Sequence, residues 1–248
     1  MAFHFIAIAS SYSKGQRIGW HYTSEERLDL GVIKNFMKSI EEECGSPQLA
    51  IHKLSTNSLE FSSVVEKDKF FEDVVVTKDI TSFTELLKAD KKLSASDVAK
   101  FLLTVCPMSH LKLQKVLYYA YADFLTKTGK KLFKEELVAF KYGPVIEEIY
   151  KKYRVHKSSV IEEKEDDVFY LHTGLSTTVS FMKIVSSENG IEAMASIIET
   201  IEKYSRCSAS ELVTKTHRKF GPWDRVYREY QNRMIPDEVI LKYHYIVQ

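Results

Sequence analysis

The stretch 110-HLKLQKVLYYAYADFL-125 decides how the second half of the chain is read. At about 100° per residue, Leu113, Leu117, Ala120 and Phe124 form one stripe, and Leu111, Tyr118, Ala122 and Leu125 form a second. Together they cover roughly 200° of the helical wheel, against the ~100° stripe of a surface helix. Lys112, Lys115, Tyr119, Asp123 and Thr126 share the narrow polar strip that remains. A helix of this kind is packed from two sides. Gln114 falls between the two apolar stripes, near Tyr121. A buried amide left without partners costs about 1–3 kcal/mol. One helix cannot supply those partners, so they must come from a helix end or a broken backbone segment elsewhere. That core role is favoured over the alternative, in which Gln114 lines a recognition groove.

Around this helix the chain divides by texture. Residues 1–80 read as a small α+β domain. Phe3–Ala9 is an apolar run of strand length. Thr23-Ser24-Glu25-Glu26 has the form of a capping box and predicts a helix running to Cys44, stopped by Gly45, Ser46 and Pro47. Strands are expected at Leu49–Leu54, Leu59–Val65 and Phe71–Thr77, the last two separated by the charged turn Glu66-Lys67-Asp68-Lys69. Residues 81–93 read as a linker with a short helix opened by Ser82 and Glu85. Residues 94–248 read as a mostly helical domain. Ser94 and Asp97 open a helix that Pro107 closes after Val105. Helices are expected at Lys134–Tyr142 and Val145–Tyr153 on either side of a Gly143-Pro144 break, with Pro144 as the first helical residue. An acidic turn at Glu162–Asp167 and a strand at Val168–His172 come next. Helices follow around Leu175–Val185 and Ile191–Tyr204. A second capping box lies at Ser208 and Glu211, and a last helix starts at Pro236-Asp237-Glu238. The fold class is α+β, with no internal repeat and no low-complexity segment.

Bulk properties exclude several classes. A chain of 248 residues with 44% hydrophobic and 28% charged residues can bury a full core. Net charge is +1; residues 1–93 hold 12 Lys+Arg and 14 Asp+Glu, the remainder 23 and 20. Neither part is basic enough to announce nucleic acid. Cys44, Cys106 and Cys207 are odd in number and far apart, which argues against a disulfide framework or a Cys-x-x-Cys metal site. Free thiols suit a reducing cytoplasm. No segment approaches the ~18 consecutive apolar residues of a membrane span. The apolar start lacks the basic residues of a signal peptide. A cytoplasmic location is expected.

Catalytic and metal chemistry find little support. His217 follows Thr216, but no cysteine or serine stands in a nucleophile setting and no Gly-x-Ser-x-Gly elbow exists. A structural His217, bonding a helix end or Gln114, is the expectation. The eight histidines are scattered without a metal-ligand spacing. No enzyme activity, metal or cofactor is expected. The basic run Lys151–Lys157 precedes the acidic Glu162–Asp167, which reads as compensating surface charge rather than a phosphate site. Lys141-Tyr142-Gly143-Pro144 and Phe220-Gly221-Pro222-Trp223 share an aromatic–glycine–proline pattern. The structural reading is two tight helix–helix turns with aromatic plugs. The functional reading is a partner surface anchored by Tyr142 and Trp223 and flanked by Lys141 and Arg225, because hot spots are enriched in Trp, Tyr and Arg.

Three motifs in order carry a family resemblance. Leu111–Tyr119, Ala139-Phe140-Lys141-Tyr142-Gly143-Pro144-Val145, and Thr216-His217 with Pro222-Trp223 resemble the signatures of the Panacea, or SocA-like, antitoxin domain. Ile235–Tyr245 is similar to that family's closing helix. The resemblance covers about Ser94 to Tyr245. Phe140 stands where members usually have tryptophan, and the stretch from His217 to Pro222 is slightly longer than common. The resemblance implies a mostly helical domain of bacteria and prophages that neutralises protein toxins by direct binding. One variant on the theme is a proteolytic adaptor, which hands its toxin to a cytosolic AAA+ protease. It implies no enzyme, and it makes residues 1–80 a candidate toxin-selecting segment.

The expectation is therefore an antitoxin that binds a protein toxin encoded nearby. Lys112, Lys115, Tyr119, Lys141, Tyr142, Trp223 and Arg225 are the candidate partner-binding residues. Gln114, Gly143, Pro144, Thr216, His217 and Pro222 form a structural motif. The alternatives are the proteolytic adaptor and a DNA-binding autoregulator; nucleic acid and membrane are not expected partners.

Overall fold

The computed structural model describes residues 1–11, 15–45, 47–163, 168–170 and 176–248. The chain forms two compact units, Met1–Lys91 and Lys92–Gln248.

The first unit runs β1 (Ala2–Ser11), β2 (Gln16–Ser24), α1 (Leu30–Cys44), β3 (Ala50–Thr56), α2 (Phe61–Lys67), β4 (Val74–Thr77) and α3 (Ile80–Lys91). The sheet order is β3-β1-β2-β4, with β1 antiparallel to both neighbours and β4 parallel to β2. Successive side chains of a strand point to opposite faces. Phe5, Ala7 and Ala9 therefore meet Trp20, Phe36 of α1 and Phe83 and Leu87 of α3 on one face. Ile6 and Ile8 meet Val64 of α2, Phe71 and Val74 on the other.

Several expectations are corrected in this unit. Thr23 and Ser24 are not a helix cap; they end β2, opposite His4 and Phe3. The helix starts later, at Leu30, where the Asp29 side chain accepts from the Gly31 N–H. The expected strand Leu59–Val65 is helix α2, because a short apolar run does not distinguish the two periods and Val64 is buried either way. Residues 81–93 are not a free connector. Helix α3 ends at Lys91 and fills the first unit's core with Phe83 and Leu87, so the compact unit extends to residue 91.

The second unit runs α4 (Ala95–Val105), β5 (Met108–Ser109), α5 (His110–Thr128), β6 (Val138–Phe140), β7 (Gly143–Val145), α6 (Glu147–Tyr153), β8 (Val160–Ile161), β9 (Val168–Tyr170), β10 (Ser176–Thr178), α7 (Val179–Val185), α8 (Gly190–Tyr204), α9 (Ala209–Thr216), α10 (Pro222–Val226), β11 (Arg233–Met234) and α11 (Asp237–Tyr243). Helix α5 is the axis, and α4, α8, α9, α11 and β7 all pack against it. Residues Leu113 to Leu125 are buried without a break. Its start is capped by the Ser109 hydroxyl and its end by left-handed Gly129. Both capping boxes expected here form, Ser94 with Asp97 and Ser208 with Glu211.

The Gly143-Pro144 break is not a junction of two helices. It lies in a hairpin, β6–β7, with Phe140 opposite Gly143 and Ala139 opposite Pro144. Strand β11 adds to β6 on its other side. Proline as a first helical residue occurs instead at Pro222, which opens α10. The strand expected at Val168–His172 is found over Val168–Tyr170; its last two residues, like residues 164–167 of the acidic turn, lie outside the described residues.

Candidate functional site

Helix α5 grips the edge of β7 with two adjacent side chains. Gln114 Oε1 accepts from the Ile146 N–H at 2.8 Å, and Lys115 Nζ donates to the Pro144 carbonyl at 2.9 Å. Strand β7 thus has β6 on one side and two helical side chains on the other. This is the partner expected for Gln114: a backbone segment just ahead of α6. Gln114 Nε2 meets no acceptor among the described residues.

Lys115 is fully buried. Loss of water around the ammonium pushes its pKa down to about 7. The space around it is set by Gly143, which holds φ at 104°. A Cβ there would sit 2.8 Å from both Cε and Nζ of Lys115 and 3.0 Å from Thr216 Oγ1. Thr216 itself is buried and turns its hydroxyl to the Leu212 and Val213 carbonyls. Two members of the structural motif, Gly143 and Thr216, therefore pack with Lys115 at one point, and glycine is required there for both space and backbone angle.

His217 caps the end of α9. Its Nδ1 lies 2.6 Å from the Val213 carbonyl and its Nε2 3.2 Å from the Lys141 carbonyl. The ring sits 3.7 Å from that of Trp223. Trp223 Nε1 donates to the Phe140 carbonyl at 2.8 Å, and its rings stack on Tyr227. His217 and Trp223 together pin the tip of the β6–β7 hairpin. Both belong to packing: Trp223 is buried, with 7% of its surface exposed.

Most of the polar strip of the α5 wheel is not a solvent face; of its five residues Thr126 alone is exposed. Lys115, Tyr119 and Asp123 are all buried, and Lys112 is half-buried with its ammonium on the Ser205 carbonyl. Tyr119 stacks on Tyr204 and donates to the Val247 carbonyl. Asp123 belongs to a buried relay that sequence reading missed. Tyr118 Oη lies 3.1 Å from His244 Nδ1, and His244 Nε2 lies 2.8 Å from Asp123 Oδ1. Burial acts to raise the Asp123 pKa. The hydrogen bond and charge of His244, with Lys203 and Gln248, outweigh it and hold the carboxyl below its ordinary value. The relay ties the end of α11 to α5 and is sealed from solvent. The sequence signal for it was an acid on a helix packed from two sides.

The exposed candidates are fewer. Lys141 and Tyr142 stand at the hairpin tip, Tyr142 with 60% of its surface exposed. Arg225 is exposed on α10. Its neighbour Phe220, not among the expected site residues, is 65% exposed. So the structure gathers Lys141, Tyr142, Phe220 and Arg225 around the hairpin tip and α10 but withdraws Lys115, Tyr119 and Trp223 from direct contact with any partner. Among the described residues no group of three or more His, Cys, Asp or Glu could hold a metal. No described helix is long and apolar enough to cross a membrane.

Residues 113–224 match the family model of the antitoxin SocA-like Panacea domain. The resemblance carried by the three motifs is therefore shown over the centre of the second unit. Antitoxin SocA of Caulobacter vibrioides (strain NA1000 / CB15N) is 32% identical over 120 residues, 48% of this chain and 59% of that protein. The match thus spans less than two thirds of that relative. No solved structure matches the chain.

Proposed function

We propose that the protein is an antitoxin that neutralises a protein toxin by binding it directly, without catalysis. The observation that carries this reading is the match of residues 113–224 to the antitoxin SocA-like Panacea domain. The arrangement of the second unit supports it. A rigid, fully packed axis helix holds a hairpin tip and a short helix whose exposed residues are aromatic and basic, the composition of binding hot spots. Neutralisation is steric in this reading: the toxin's working surface is covered in the complex. A toxin encoded beside this gene, in a bacterial or prophage locus, is the partner, and the cytoplasm is the compartment.

The test is co-expression with the product of the adjacent gene, scored by growth and then by co-purification. Growth rescue with a stable complex is the expected result. Toxicity without rescue, or no complex, overturns the reading. Rescue in which the partner disappears, and returns when cellular AAA+ proteases are disabled, replaces direct neutralisation by delivery to a protease.

A further inference from the structure

One side chain in the second unit is built for a charge it does not meet. Arg225 Nε donates to the Phe220 carbonyl at 2.8 Å. Its guanidinium carbon lies 3.5 Å from the centre of the Tyr243 ring, a stacking that fixes the plane of the group. Its two terminal nitrogens make no hydrogen bond or ion pair with the described residues, and the residue is exposed. A planar guanidinium held by its Nε and one face offers its outer edge, the geometry that takes a carboxylate through two parallel bonds.

Phe220 completes the arrangement. It holds φ at 67°, a left-handed angle that costs a bulky residue about 1 kcal/mol or more, and yet 65% of its surface is exposed. Burial does not repay that cost. The surrounding turn imposes it: the Phe220 N–H donates to Asp224 Oδ2 at 2.8 Å, and the Gly221 N–H to the Arg218 carbonyl at 3.0 Å. The turn therefore displays an aromatic ring beside a fixed guanidinium. The segment that carries it is basic. From Lys215 to Lys242 the chain carries seven Lys and Arg against four Asp and Glu. Two of those acids are engaged internally, Asp224 as above and Asp237 with Tyr121 and Lys131.

We infer that Arg225 and Phe220 form a two-part docking site for an acidic segment of the partner protein that also carries an apolar side chain. A carboxylate of that segment takes the outer edge of Arg225, and the apolar side chain packs on the Phe220 ring. A protein segment is favoured over nucleic acid because the chain's net charge is only +1, too little to hold a polyanionic backbone. The proposal rests on the protein-binding reading above and adds the partner's chemistry.

The test uses the full chain and a fluorescent heptapeptide alternating Glu with Phe, its Gln-for-Glu counterpart, and a ten-uridine oligonucleotide. Fluorescence anisotropy is expected to show binding of the acidic peptide, weaker by about tenfold or more for the Gln peptide and for the Arg225→Glu, Arg225→Lys and Phe220→Ala proteins. Phe220→Gly is the control for folding, since glycine accepts the left-handed angle. It is expected to keep or raise the melting temperature while losing the same affinity. Absence of peptide binding, equal binding by the variants or the Gln peptide, or preference for the oligonucleotide overturns the docking site. The adjacent-gene product separates the two claims. If it complexes wild type and Arg225→Glu alike, the docking site fails and the antitoxin reading stands. If it complexes neither while the peptide still depends on Arg225, the antitoxin reading fails and the docking site stands.

Discussion

Lys115 Nζ donates to the Pro144 carbonyl across 2.9 Å, and among the described residues no carboxylate pairs with it. A buried ammonium with one hydrogen bond is a costly way to hold a hairpin edge. The cost falls with rising pH. The unfolded chain keeps the proton up to about pH 10.4, while the folded chain releases it around pH 7. Between those values the unfolded state binds more protons, so this group's contribution to stability rises with pH. Lys115→Met removes the titration. Urea unfolding at pH 6.5 and 9.5 is expected to show wild type gaining on the variant by on the order of several kcal/mol at the higher pH. A constant difference between the two proteins would mean that Lys115 is charged throughout.

Gly143→Ala places a methyl group 2.8 Å from Lys115 Nζ at a backbone angle of 104°. The loss of stability is expected to be about 2–4 kcal/mol, combining backbone strain with displacement of the clamp. Chemical denaturation of the full chain measures it. Gly129→Ala, also at a positive φ but with open space around the added carbon, is the comparison and should cost about 1 kcal/mol. Equal losses would show that the clamp tolerates the intrusion.

The Tyr118–His244–Asp123 relay predicts an asymmetric response to substitution. Asp123→Ala leaves His244 Nε2 and Gln248 Nε2 without their acceptor and should destabilise by about 3 kcal/mol. The Tyr118 hydroxyl is a weaker member, and Tyr118→Phe should cost about 1 kcal/mol. Thermal melts of both variants test the ranking. A larger loss for Tyr118→Phe would place the anchor of the C-terminal segment elsewhere.

In the first unit His4 and His21 stack with ring centres 5.1 Å apart, Nδ1 of one 2.8 Å from Nε2 of the other. Burial, then the charge of His4 and Lys78, lowers the His21 pKa to about 4. The unfolded value is about 6.5. Stability from the neutral pair is complete above pH 6.5 and is lost as pH falls through the window down to about 4, because the unfolded chain takes the proton first. An NMR titration of the His21 ring should place its midpoint near pH 4. A midpoint near 6.5 would remove this source of acid sensitivity.

Local signals account for what was legible beforehand. Helix α5, the Ser94 and Ser208 capping boxes and the stop at Gly45 depend on residues within a few positions of each other, and each formed where expected. The misread segments are those whose local pattern fits two structures. Leu59–Val65 is apolar enough for a strand and became α2; Gly143-Pro144 suits a helix start and became a hairpin. The wheel placed Lys115, Tyr119 and Asp123 on one strip, but polarity alone made Lys115 and Tyr119 candidates for partner contact, and both are buried.

The sequence by itself determined the axis helix, the α+β division of the chain and the motifs that resemble the antitoxin SocA-like domain, because helical periodicity, capping and the order of short motifs are written in the chain itself. Only the tertiary structure decided which polar groups are buried. Lys115 lies inside because β7 passes beside it, Asp123 because His244 comes from more than a hundred residues away, and Trp223 because the hairpin tip reaches it. Burial depends on what arrives from distant parts of the chain. The same arrivals leave Phe220 and Arg225, rather than Trp223 and Lys115, facing outward.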